Sequence, residues 1–234
     1  MKNIINLIIN DFRNIFRDDI LKVLLFVPVI MILLIRFGLP VLVELAPELS
    51  SYQFLIVTLF GLIIASFPAF IISFIMLDEK DEGIFIMYKV LPISGFRFFI
   101  YRLGFLICFS WVYSIILLVI QKSIVLSWWQ VILPALLFSL LPPVITLLTV
   151  TFARNKIEGV TLMKFLNFIL FLPVAGFFVV APWKYFFGVI PVFWSFRMLE
   201  VAGQNSAFLL SFAIGFVLHV FLLWLIFRIF IKRT

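Results

Sequence analysis

The chain has 234 residues, 65% of them hydrophobic and 12% charged, where soluble domains run at about 45 to 50% and about 25%. With a mean hydropathy of +1.29 and 32 phenylalanines, it carries more apolar surface than a protein core hides from water, and only a bilayer accepts it. An ordinary soluble domain is excluded, and the net charge of +7 does not argue for nucleic acid, because the basic residues cluster beside the apolar runs.

Residues 1–20 carry acids and lack a continuous apolar stretch with a small-residue cleavage site, so a removable signal is not expected. Within them Ile4, Ile5, Ile8, Ile9, Phe12, Ile15 and Phe16 recur at helical spacing, while Asn6, Asn10, Arg13, Asn14 and Arg17 fill the other face and Leu7 is the exception. The pattern predicts a helix lying along the membrane surface. Its role is either a plain anchor or an elbow against which a partner finds the chain.

Six apolar runs follow, at residues 21–42, 53–77, 99–120, 131–153, 160–181 and 206–231, each long enough to cross about 30 Å of hydrocarbon as a helix. They are apolar on every side, whereas barrel strands alternate. The predicted fold class is therefore an all-α integral membrane protein with six transmembrane helices, read as one transmembrane domain over 1–234. Cys108, the one cysteine, falls inside the third run, so neither an intrachain disulfide nor a thiolate cluster is expected.

Orientation follows from lysine and arginine, which cytoplasmic loops retain. Only Arg36, Lys122, Lys184 and Arg197 lie on one side of the predicted membrane; the other fourteen of the 18 lie on the side that carries both termini. Both termini are expected in the cytoplasm of a multi-pass cell-membrane protein. Trp128, Trp129, Trp183 and Trp194 then fall in outer connectors, where an aromatic belt belongs.

Enzyme motifs are lacking. The single His219 cannot supply HExxH, no glycine precedes a lysine as a phosphate-binding loop requires, and no GxSxG occurs. Asp78, Glu79, Asp81 and Glu82 carry carboxylates suited to a hard cation, yet Lys80 interrupts them and no second acidic cluster completes a site. A solvated helix start is the plainer reading, with no metal and no catalytic residue. If ATP drives this chain, another subunit hydrolyses it.

The second connector, residues 78–98, mixes acids with apolar residues and a proline. Glu79, Asp81 and Glu82 are expected to favour the N-terminus of a helix running over 84–90 that Pro92 stops. Phe85, Tyr88 and Lys89 would give that helix anchors for a partner's groove, the alternative being an interfacial helix with no partner. Glu79, Asp81 and Glu82 precede Gly83, and Pro92, Ile93 and Ser94 follow it nine residues on. This spacing resembles that of type-2 ABC exporter permeases of the drug and antibiotic kind. In the fourth connector Asn155, Lys156, Ile157, Glu158 and Gly159 resemble the family's NK(V/I)EG segment, and Lys164 and Asn167 fit it too. The departure is Ile84, where many members have threonine.

The resemblance implies a permease subunit that forms the export pathway for a hydrophobic or amphipathic substrate, whether drug, antibiotic, lipid or peptide, and that pairs with a second permease subunit, as a homodimer or heterodimer, and with two cytoplasmic ABC ATPase subunits, which would bind ATP and magnesium. The segment from Gly83 to Pro92 would act as the coupling helix. Two readings from other classes stand beside it: an intramembrane lipid-modifying enzyme, and a membrane scaffold without transport.

Polar residues inside spans need a reason. Arg36 is expected to snorkel outward or to pair with Glu44 or Glu200, Lys164 to snorkel inward, and His219 to sit near mid-membrane as a satisfied neutral imidazole rather than a proton relay. Gly61, Ala65, Ala69 and Ser73 form a small-residue ridge on the second span, and Ala207, Ser211, Gly215 and His219 a row on the last; both are expected to pack within the subunit. Residues 182–204 are too aromatic for a free loop and too broken by Gly188 and Pro191 for a span. They are expected to dip into the outer leaflet, either as an aromatic belt or, by the resemblance, as re-entrant helices capping the exit.

Overall fold

A computed structural model describes residues 13, 15–85, 95–180 and 182–233. The predicted surface-helix residues 1–12, and Tyr88, Lys89 and Pro92 of the coupling segment, lie outside the described residues. The elements are α1 (Asp19–Leu33), a π-helical stretch (Leu34–Gly38), α2 (Leu39–Leu45), a 3-10 turn (Pro47–Tyr52), α3 (Gln53–Asp81), α4 (Gly95–Ile120), α5 (Trp128–Phe152) and α6 (Lys156–Ala175). Two 3-10 pieces (Gly176–Phe178 and Trp183–Val189), α7 (Val192–Glu200) and α8 (Asn205–Arg233) complete the chain.

The protein is all-α, with six helices long and apolar enough to span a membrane, and no strand among the described residues. The first span joins α1, the π stretch and α2. Its π stretch has a local cause. Pro40 lacks an amide N–H and its ring crowds the carbonyl of Arg36, four residues earlier; one extra residue in the turn relieves this, and Leu39 N–H donates to Leu34 O, five residues back. Pro68, Pro134, Pro142, Pro143 and Pro173 all lie inside helices that continue through them, as neighbouring spans permit.

Two spans form the centre. In α3 and α5, 67% and 78% of an 18-residue apolar stretch is buried, against 33% or less in the corresponding stretches of the others. The small-residue ridge of α3 accounts for the approach. A Cβ on Gly61 would stand 2.6 Å from the Phe138 ring of α5, Ser110 of α4 donates to Ala65 O at 2.9 Å, and Thr146 of α5 reaches Ala69 O at 3.4 Å. Gly215 of α8 likewise sits against Trp194 and Leu137. Both rows therefore pack within the chain, as expected.

Several boundaries differ from the sequence reading. The second span runs on to Asp81 instead of stopping at Leu77, because Lys80 gains partners at the helix end. The fifth occupies Lys156–Ala175 instead of 160–181, because Asn155 caps it four residues early and the chain tightens to 3-10 geometry after Ala175. Residues 182–204, by contrast, agree with the sequence reading: they form two short helical pieces and no span. Here Glu200 accepts from Lys184 at 2.8 Å and is also paired with Arg197, while Trp194 Nε1 donates to Gly188 O at 2.9 Å. Trp128 and Trp183 remain exposed, whereas Trp129 packs edge-on against Phe208.

Candidate functional site

The end of the bundle formed by the start of α1, the end of α3 and the start of α6 gathers charged side chains. Gly83 has φ +72°, the left-handed conformation that a glycine just past a helix end adopts at little cost; Gly83 N–H closes on Lys80 O, and Glu82 N–H on Asp78 O. The glycine of the motif is thus the stop signal of α3, and Glu79 and Asp81 belong to its last turn. Helical geometry resumes at Ile84 and Phe85, where the coupling helix was expected to begin; the rest of that expected helix, residues 86–90, lies outside the described residues. Carboxylates at a helix C-terminus oppose the helix dipole, so compensation is needed, and it is found on neighbouring spans.

Arg102 of α4, 1% exposed, meets Glu79 in a two-pronged pair, Nη1 to Oε2 and Nη2 to Oε1, both at 2.6 Å. Such forked pairing fixes direction as well as distance. Lys80 reaches across to α5 and donates to Val150 O and Ala153 O, each at 2.8 Å. A cation on the last carbonyls of a helix suits its dipole. Lys156 at the start of α6 pairs with Asp78 at 2.8 Å. Three consecutive residues of α3, Asp78 to Lys80, therefore tie three other spans to one helix end.

The NKIEG segment has a structural role in the same frame. Asn155 Oδ1 accepts from Glu158 N–H at 3.0 Å, and Glu158 Oε2 accepts from Arg154 N–H at 2.8 Å. This reciprocal capping begins α6. Gly159 permits close contact with α3, since a Cβ there would lie 2.5 Å from Leu77 Cδ1. Lys156 and Gly159 thus bind the fourth connector to the base of the second, and Glu158 holds the cap that positions them.

A cleft of about 760 Å³ opens at this end, lined by Arg17, Asp18, Asp19, Asp78, Glu79 and Glu82 together with Leu21, Ile75 and Ile84. Its wall is predominantly acidic. Phe85 does not project into a partner's groove as the sequence suggested: it is buried and stacks edge-on against Phe99 at 5.4 Å, and Phe99 against Phe230 of α8 at 4.8 Å. The exposed groups at the end of α3 are Asp81 and Glu82.

The in-membrane candidates are scattered. Arg36 pairs with neither Glu44 nor Glu200; its Nη1 donates to Ile120 O at 3.0 Å, closing the C-terminus of α4, while Glu200 is occupied by Lys184 and Arg197. Lys164 is exposed, and Asn167 is half-buried beside Ser66 at a small cleft between α3 and α6. His219 is buried on α8, its Nδ1 2.8 Å from Gly215 O and its Nε2 without a partner. No group of three or more metal-ligating side chains occurs among the described residues.

The family model described as fluoroquinolones export permease protein Rv2686c-like matches residues 11–227. The chain belongs to this family. Two Mycobacterium tuberculosis proteins, from strains CDC 1551 / Oshkosh and ATCC 25618 / H37Rv, are each named a fluoroquinolones export permease protein; each is 28% identical over 231 residues, covering 94% of this chain and 90% of the relative. No solved structure matches. The permease is accordingly a multi-pass transport protein, and its charged end frame holds Glu79, Gly83, Asn155, Lys156, Glu158 and Gly159 of the motifs behind the resemblance, while Pro92, Ile93 and Ser94 lie outside the described residues. Sequence reasoning missed Arg102 and Lys80 as parts of that frame. A lone arginine beside an otherwise apolar run was the available signal for Arg102.

Proposed function

We propose that this permease is the membrane subunit of an ATP-driven exporter that carries amphipathic aromatic drugs of the fluoroquinolone kind out across the cell membrane. Two permease subunits enclose the pathway. Two cytoplasmic ABC ATPase subunits hold ATP and magnesium and perform the hydrolysis, and both permease termini face them. The drug class follows from the names of the relatives.

The observation that carries the coupling half of this reading is the acid-lined cleft over a rigid frame. Force applied at Glu82 and Gly83 enters α3, the most central span but one, and Asp78, Glu79 and Lys80 pass it to α6, α4 and α5 at once. An acidic cleft favours a partner surface rich in lysine and arginine. Tyr88, Lys89 and Pro92 continue the contact by resemblance to the family's coupling segment.

Inverted membrane vesicles containing the permease and its ATPase test this. Addition of ATP is expected to drive uptake of a fluoroquinolone. Glu82→Lys is expected to cut that uptake at least tenfold with unchanged permease in the membrane, and normal uptake by the variant contradicts the coupling assignment.

A further inference from the structure

α6 is the least buried of the six spans, with 17% of its apolar stretch covered, and it alone among the sparsely buried spans shows polar side chains on its open face. The exposed residues of α1 from Val23 to Phe37, of α4 from Ile100 to Ile120 and of α8 from Leu209 to Leu225 include no charge, hydroxyl or amide, as faces turned to lipid require. On α6, Thr161 and Lys164 are exposed, and Asn167 is half-buried at the small cleft it shares with Ser66 of α3. Thr161 donates to Ile157 O at 3.1 Å. Lys164 meets no carboxylate among the described residues, and neither its ammonium nor the Asn167 amide makes a hydrogen bond there.

Lys164, Asn167, Phe168 and Phe171 stand at i, i+3, i+4 and i+7, so one stripe of α6 presents an ammonium, an amide and two rings. Both phenylalanines are exposed. Lys164 lies eight residues beyond Lys156, whose pair with Asp78 marks the charged end, and is therefore roughly 12 Å further along the helix. An acyl chain covers the rings but brings no anion to that depth. A second copy closing directly on the stripe about a two-fold axis supplies the same stripe, with a like charge at the same depth. The complementary occupant is flat, apolar and anionic: its ring lies on the phenylalanines, and its charge accepts from the lysine.

We propose that Lys164 is the anion receptor of the substrate path, taking the carboxylate of an aromatic acid whose ring packs on Phe168 and Phe171. As a determinant of substrate charge this rests on the exporter reading; as a binding site it stands on the stripe itself.

The test uses the full chain, purified from its native membrane in mild detergent and reconstituted in phosphatidylcholine nanodiscs, with 2-naphthoate as the probe and uncharged 2-naphthamide as the control. Saturable fluorescence binding above that of empty nanodiscs is expected, with 2-naphthoate about tenfold tighter, the scale of one charge-assisted hydrogen bond. Lys164→Gln should abolish that preference, and Lys164→Arg should keep it. Reductive methylation with carbon-13 formaldehyde leaves the positive charge in place and gives a readout in the unmutated protein. The Lys164 dimethylammonium resonance, assigned by its absence from Lys164→Arg, is expected to move with 2-naphthoate and to stay in place with 2-naphthamide. No saturable binding in the unmutated protein, or a preference that survives Lys164→Gln, overturns the proposal. So does a resonance that moves with added phosphatidylglycerol and not with 2-naphthoate, which assigns the lysine to lipid headgroups. Fluoroquinolone export without the naphthoate preference removes the anion site and leaves the exporter reading; the preference without ATP-driven export does the reverse.

Discussion

Arg102 and Glu79 show what a residue-by-residue reading loses. Glu79 looks like one of several solvated acids, and its forked partner lies 23 positions away on the next span. Only the packing of α4 on α3 unites them. Burying one member of an ion pair without the other costs about 3–5 kcal/mol, whereas replacing both with apolar groups is often neutral. Arg102→Met is therefore expected to destabilise the permease by about that amount in thermal unfolding, and Glu79→Leu added to it should recover most of the loss. Equal instability of the single and double variants would contradict the pairing. Close approach is equally local at Gly61, where the Phe138 ring of α5 fills the space a side chain would need. Gly61→Leu should cost about 1–3 kcal/mol by overpacking, with partial restoration by Phe138→Leu. The small-residue spacing of α3 made this ridge legible in advance; which ring would fill it was not.

At the scale of elements, end signals proved more informative than the acids around them. Gly83 was read as part of a family motif, and its structural work is to end α3 at positive φ. Gly83→Val places a β-branched side chain where such backbone is strained, and a melting temperature lower than that of Gly83→Asn is expected. The start of α6 depends on Asn155, whose side chain accepts the Glu158 amide; Asn155→Ala should cost about 1 kcal/mol, and less in a Glu158→Ala background if the two act as one cap. Full additivity in that double-mutant cycle would contradict the shared cap. The prolines were visible as features within spans, but the π turn that Pro40 forces around Arg36 was not. It depends on a carbonyl clash four residues away and gives Arg36 a partner, Ile120 O, that no charge pattern advertises.

For the whole molecule, six spans and the all-α class were legible because the bilayer demands long apolar helices and charge punctuates them. The arrangement of those spans was not. Helices apolar on every side give no stripe to aim at a neighbour, so the central place of α3 and α5 emerges only from close packing. The charged frame at the base of α3 was half legible: its acids and the NKIEG segment stood out, while buried Arg102 and half-buried Lys80 did not. The central claim is that this frame receives work from an ATP-hydrolysing partner. The most direct measurement is purification of the permease from its native membrane in mild detergent, with crosslinking beforehand, followed by identification of bound proteins and an ATP hydrolysis assay. A co-purifying ABC ATPase whose hydrolysis rises with added fluoroquinolone is predicted, and loss of that stimulation in Glu82→Lys. A crosslinked permease that brings no ATPase with it would contradict the account.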